Sequence, residues 1–193
     1  MRKYRVWAAA VLALASVTAL AQDPALRKMT GESRAVVSEL TRRIGGELRK
    51  EMESSGPLAS VMTCQYSSPE VASELSRKTG WRVSRVSLKP RNPAAGTPDA
   101  WEQQVLAEFD RRAAAGEKAD EFEHAEIVAE PSGRYFRYMK ALPVTAFCLT
   151  CHGPAEKLPQ SIKLRLAKEY PHDQATGYSV GQVRGAVTIK RPL

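Results

Sequence analysis

Two cysteines and a histidine carry the most specific chemistry this sequence can do. In "TAFCLTCHGP", Cys148 and Cys151 stand two residues apart and His152 follows directly. This C-x-x-C-H spacing is the signal for c-type haem attachment. Two thiols at that separation reach the two vinyl groups along one edge of a porphyrin, and the neighbouring imidazole can swing under the ring to the iron. The motif therefore predicts one covalent haem c, with Cys148 and Cys151 as thioether sites and His152 as the proximal iron ligand. A thiol-disulfide oxidoreductase, or a haemless module with a Cys148–Cys151 disulfide, is the alternative, and neither requires a histidine at 152. A zinc site needs four ligands, and no second C-x-x-C or histidine pair supplies them.

A single motif leaves the sixth iron position to be filled. Cys64, His124, His172, Met62 and Met139 are the candidates beside an open position. Methionines at helical or strand spacing are usually core filler, and a lone strand histidine is usually just accommodated. Cys64 differs, because an unpaired thiol outside the cytoplasm invites oxidation or intermolecular pairing unless it has a partner. Arg91 and Arg184 are candidates to hold the haem propionates, since a planar guanidinium makes bidentate contacts with a carboxylate.

The elements that must position these residues follow from periodicity. From Asp23 to about Glu53, Leu26, Met29, Val36, Val37, Leu40, Ile44, Leu48 and Met52 recur at three- and four-residue intervals, which predicts a long amphipathic helix with a bend or break at Gly45-Gly46. A second helix is expected from Pro57 to Gln65, with Cys64 near its end. Ser68 is then expected to cap a third that stops at Gly80. Trp81 to Leu88 reads as a strand. The segment "KPRNPAAGTPDAWE" reads as an extended loop leading to a helix capped by Thr97, with Trp101, Val105 and Phe109 on one face and Gly116 past its end. Phe122–Glu130 and Arg134–Leu142 form a predicted hairpin with the three-residue loop Pro131-Ser132-Gly133. A helix is expected from Pro159 to Glu169. Val183, Gly185, Val187 and Ile189, alternating with Arg184, Ala186, Thr188 and Lys190, predict a half-buried last strand. The order implies an α+β fold, an antiparallel sheet with helices packed to one side.

The amino terminus bears on compartment. Arg2, Lys3 and Arg5 precede an apolar run from Val6 to Leu20 that ends in Ala19-Leu20-Ala21, the pattern of a secretory signal peptide cleaved before Gln22. The run falls short of the roughly 20 apolar residues a bilayer span needs, so no stable membrane span is expected after cleavage and the compartment is expected to be the periplasm. Cleavage of residues 1–21 removes three of the 29 Lys+Arg and none of the 21 Asp+Glu. The mature chain of 172 residues then carries a net charge of +5. The basic residues are dispersed, which argues against nucleic acid as a partner. Three cysteines do not make a disulfide scaffold.

Three stretches together, "KPRNPAAGTPDAWE" (Lys89–Glu102), "FCLTCHGP" (Phe147–Pro154) and "YPHDQATGYSVGQVRGAVTIK" (Tyr170–Lys190), resemble the PAS-like, single-haem c-type domain family first described structurally in a cyanobacterial protein. The similarity extends over nearly all of the mature chain. It departs at "NPAAGTP" (Asn92–Pro98), where the family more often has a second asparagine. The resemblance implies a PAS-like antiparallel sheet over residues 57–193 with flanking helices, preceded by an N-terminal helical arm over 22–56. It also implies an unusual His/Cys axial pair, in which His152 is proximal and Cys64, within "SVMTCQYSSPEVA", is distal. A thiolate ligand would favour ferric iron and lower the reduction potential. The expected roles are low-potential electron transfer, or sensing of redox state or a small diatomic gas, through a separate redox or signalling partner protein. No general acid, base or nucleophile set accompanies the motif, so an enzyme is not expected.

Overall fold

The computed structural model describes residues 23–193; the expected signal peptide lies outside them. Helix α1 (Pro24–Ser54) begins at Asp23, whose carboxylate accepts from the Ala25 amide at 2.9 Å. It runs unbroken through Gly45-Gly46, because Met29, Val37, Leu40 and Ile44 bury one stripe of it. That packing outweighs a cost of about 1 kcal/mol per glycine.

Helix α2 (Gly56–Met62) does not end before α3 (Ser68–Thr79). The two are joined by a single widened π-helical turn, Thr63–Ser67, which carries Cys64. Ser68 is itself helical, with φ −65° and ψ −46°, so it does not cap a new helix as expected. Its amide donates five residues back, to the Thr63 carbonyl. The widened turn suits the site, since Pro69 has no N–H to continue an ordinary ladder. Gly80, with φ +72°, closes α3 as expected.

Strand β1 (Arg82–Val86) is followed by a short helix, α4 (Pro93–Gly96), inside the segment expected to be extended; Asn92 caps it. Helix α5 (Ala100–Ala114) is capped by Asp99, not Thr97, because Asp99 and Glu102 form a reciprocal capping box. Strands β2 (Glu123–Glu130) and β3 (Gly133–Pro143) pair from Glu130↔Gly133, so the hairpin loop is Pro131-Ser132 alone, one residue shorter than expected. Helices α6 (Leu149–His152) and α7 (Gln160–Glu169) precede β4 (Val183–Pro192).

The sheet is antiparallel throughout, in the order β1-β4-β3-β2. Helices cover both of its faces, which corrects the one-sided expectation. On one face Met29, Leu40 and Leu75 pack against Val83, Phe136, Tyr138, Val187 and Ile189. On the other, Val105, Leu106 and Phe109 pack against Val86, Met139, Ala141 and Ala186. Ala186 and Thr188 on β4, expected to face solvent, are therefore buried. The Thr188 hydroxyl is satisfied by Glu102 at 2.9 Å. Helix α1 belongs to the same core as the sheet and is also tied to it by polar contacts. Arg34 pairs with Glu123, which accepts from the Tyr138 hydroxyl at 2.8 Å.

Candidate functional site

The C-x-x-C-H segment is held from several sides. Thr145 opens a short 3-10 turn over Ala146–Cys148, and its amide donates to the Cys148 sulfur at 3.4 Å. Gly153 ends α6, where a Cβ would lie 2.7 Å from the Leu149 carbonyl oxygen, too close for any side chain. Amides of Gly177 and Tyr178 donate to the carbonyls of Gly153 (2.9 Å) and His152 (3.0 Å), pinning the 173–178 loop to the motif. The thiols sit against two small cores. Cys148 packs on Val144, Ala175 and Tyr178. Cys151 packs on Val61, Leu158, Ile162, Leu166 and Tyr170, which joins the motif to α2 and so to the turn bearing Cys64. All three cysteines are free thiols here, and burial pushes the Cys151 thiol up.

His152 is oriented by a 2.7 Å contact between Nδ1 and the Ala175 carbonyl oxygen. A carbonyl can only accept, so Nδ1 carries the proton and Nε2 keeps its lone pair free. The Arg184 Nε, 3.2 Å from Nδ1, is then a donor facing a donor. Burial, followed by the charges of Arg91 and Arg184, pushes the imidazole down to about 2, which keeps it neutral and fit to ligate a metal.

This has a consequence for stability. An unfolded chain binds the His152 proton near 6.5, the folded chain only near 2. Between these values the unfolded state binds more protons. Stability is therefore complete above the unfolded value and falls as pH drops, by up to about 1.4 kcal/mol per pH unit. Urea midpoints of the haem-free chain at about pH 7 and about pH 5 should show this fall, and a His152→Phe variant should lack that component.

A cavity of ≈ 330 Å³ brings the distant residues together. His152 and Cys64 both line it, with Arg85, Arg91, Arg184 and Tyr170. A larger cavity of ≈ 630 Å³, near the end of α5 and the 177–183 loop, contains neither a cysteine nor a histidine. None of the other sixth-ligand candidates reaches the smaller cavity. His124 lies on β2 beside Glu126 and Trp101, His172 is exposed, the Met62 sulfur accepts from Arg165, and Met139 is fully buried on the α5 face.

Arg91 and Arg184 are at the cavity as expected, but both are engaged with the protein. Arg91 donates to Asp173 (3.1 Å), to the Cys151 carbonyl and to the Ala175 carbonyl (3.3 Å). Arg184 donates to Ser87 Oγ (2.9 Å) and the Lys89 carbonyl (3.2 Å). Sequence reasoning missed Arg85 and Tyr170, whose phenol burial pushes up to about 12. The signal for Arg85 was an arginine inside the otherwise apolar and small "VSRV" of the edge strand β1.

The cavity fits a bound prosthetic group. Gln65 Oε1, on a residue of its wall, is buried with no hydrogen-bond partner, and His152 and Cys64 both line it, whereas Cys148 and Cys151 do not. Among the described residues no cluster of three or more His, Cys, Asp or Glu could hold a bare metal ion, and no helix is long and apolar enough to cross a membrane.

Comparison with known proteins places the fold. The fold matches the crystal structure of the cyanobacterial heme-protein Tll0287 with a TM-score of 0.65 and 26% sequence identity, covering 89% of this chain and 97% of that one. No curated protein matches. The resemblance carried by the three sequence stretches and the PAS-like α+β fold are thereby borne out. With residues 5–192 matching the family's pattern from the first helix through the last strand, the chain belongs to the Tll0287-like family.

Proposed function

We propose that this chain is a periplasmic, monohaem c-type cytochrome serving low-potential electron transfer. The observation that carries the reading is the meeting of His152, with Nδ1 pinned to Ala175, and Cys64 in the walls of one cavity beside a C-x-x-C-H segment. Haem binding is further supported by membership of the Tll0287-like family and by the likeness to a structure described as a heme-protein. Bound haem iron would supply reversible one-electron chemistry.

The chain's residues then divide the work. Cys148 and Cys151 would hold the haem covalently, each thiol adding S–H across one vinyl double bond, sulfur to one carbon and hydrogen to the other, with no oxidant consumed. His152 Nε2 would hold the iron, and the Ala175 carbonyl fixes the orientation of its ring. Cys64 would be the second protein ligand, and as a thiolate it would favour the ferric state and lower the potential. Burial raises the Cys151 thiol, the opposite of what an activated dithiol needs, which disfavours a thiol-disulfide oxidoreductase.

A second reading, redox or gas sensing, draws on one observation. Cys64 sits on a π-helical turn between two helices, so release of this ligand could be transmitted through α2 and α3 to a partner protein. Carbon monoxide binding by the reduced protein would favour it over simple electron transfer.

The test is production alongside functional haem-ligation machinery. The intact mass should exceed the polypeptide by one haem, and Cys64→Ala should raise the reduction potential and change the ferric low-spin paramagnetic resonance signal. A bare polypeptide mass would end the cytochrome reading. An unchanged resonance signal would remove Cys64 from the iron.

A further inference from the structure

Three guanidinium groups line the cavity, but only one of them lacks a protein partner. Arg91 is held by Asp173 and two carbonyls, and Arg184 by Ser87 and the Lys89 carbonyl. The guanidinium of Arg85, whose backbone pairs with Val187 in the sheet, makes no hydrogen bond or ion pair among the described residues. The groups that act on its charge are the Cys64 thiol and the Tyr170 phenol, neither of them a carboxylate. No described Asp or Glu lines the cavity, and Asp173, which lies outside its lining, is taken by Arg91. Burial works against the charged form of Arg85. A half-buried, unpaired cation in a cavity wall is stabilised when an anion arrives to meet it.

We propose that Arg85 holds a carboxylate of the group that fills this cavity, a role the sequence pointed to Arg91 and Arg184 for. This rests on the haem reading above, under which the carboxylate is a propionate. The planar fork of Arg85 matches a carboxylate with two parallel N–H···O bonds. Arg91 and Arg184 are positioning residues, whose hydrogen bonds hold the 173–178 loop and the Ser87–Lys89 backbone around His152.

The experiment needs no activity. The full chain, made without haem-ligation machinery, is titrated by Soret absorbance with haemin and with haemin dimethyl ester, which lacks the two negative charges. The wild type should prefer haemin by about tenfold or more, the scale of one charge-assisted hydrogen-bond pair. Arg85→Gln should lose that preference while still binding the diester as the wild type does, which also shows that the variant is folded. Arg85→Lys should keep part of it. Arg91→Gln should weaken both porphyrins alike. A wild-type preference retained in Arg85→Gln, or no preference in the wild type, overturns the assignment and leaves the haem reading standing. Failure of the wild type to take up either porphyrin overturns both.

Discussion

Replacing Cys148 and Cys151 together by serine should abolish covalent haem in protein exported alongside haem-ligation machinery. The intact mass should fall to that of the bare polypeptide, and haem staining on a denaturing gel should disappear. A serine hydroxyl is isosteric but does not add to a vinyl group as a thiol does, so only the bond-forming step is removed. His152 keeps its contact with Ala175 in such a variant, since that hydrogen bond uses no cysteine atom. Extractable, non-covalent haem is therefore the expected residue of binding. Each single variant should retain one bond, because the two thiols rest on separate small cores. Covalent haem persisting in the double variant would show that attachment uses other atoms.

The second large effect concerns stability. Arg137 is buried beneath α5, where it donates to Asp99 (2.8 Å), Glu102 (3.1 Å) and Glu130 (3.2 Å) and lies 4.4 Å from the centre of the Trp101 ring. Glu102 is only 2% exposed, and it also accepts from Thr188 and closes the α5 capping box. Arg137→Leu strips the cation from this enclosed cluster and leaves Glu102 charged with too few donors. Breaking a buried pair in this way costs about 3–5 kcal/mol, read as a lowered urea midpoint. Arg137→Leu with Glu102→Leu should cost less than the sum of the two single changes, since each single change leaves the other charge stranded. A loss below about 1 kcal/mol for Arg137→Leu, the range of an exposed ion pair, would refute the account.

That cluster also shows why part of the fold was hidden in the sequence. Thr188 and Ala186 alternate with larger apolar residues on β4 and so read as solvent-facing, yet α5 covers them. An alternating pattern reports side-chain period along one strand. It does not report whether a second layer, itself half polar through Glu102, will close over the smaller face. Ser68 and Thr97 misled for a related reason. Each is a good cap residue before a proline, but the π-helical turn and the Asp99–Glu102 box satisfied the local amides another way.

The sequence alone determined the C-x-x-C-H chemistry, the long first helix, the hairpin, the last strand and the family. These rest on spacings of a few residues, or on patterns repeated along one element, where local geometry sets the outcome. Tertiary structure brought Cys64, which the family resemblance had singled out, into one cavity with His152 and kept His124, His172, Met62 and Met139 away, and it alone decided that Arg91 and Arg184 spend their hydrogen bonds on the protein while Arg85 does not. Which acceptor a guanidinium finds, and which side chain faces a given imidazole, depends on packing between segments far apart in the chain, and no local period records it.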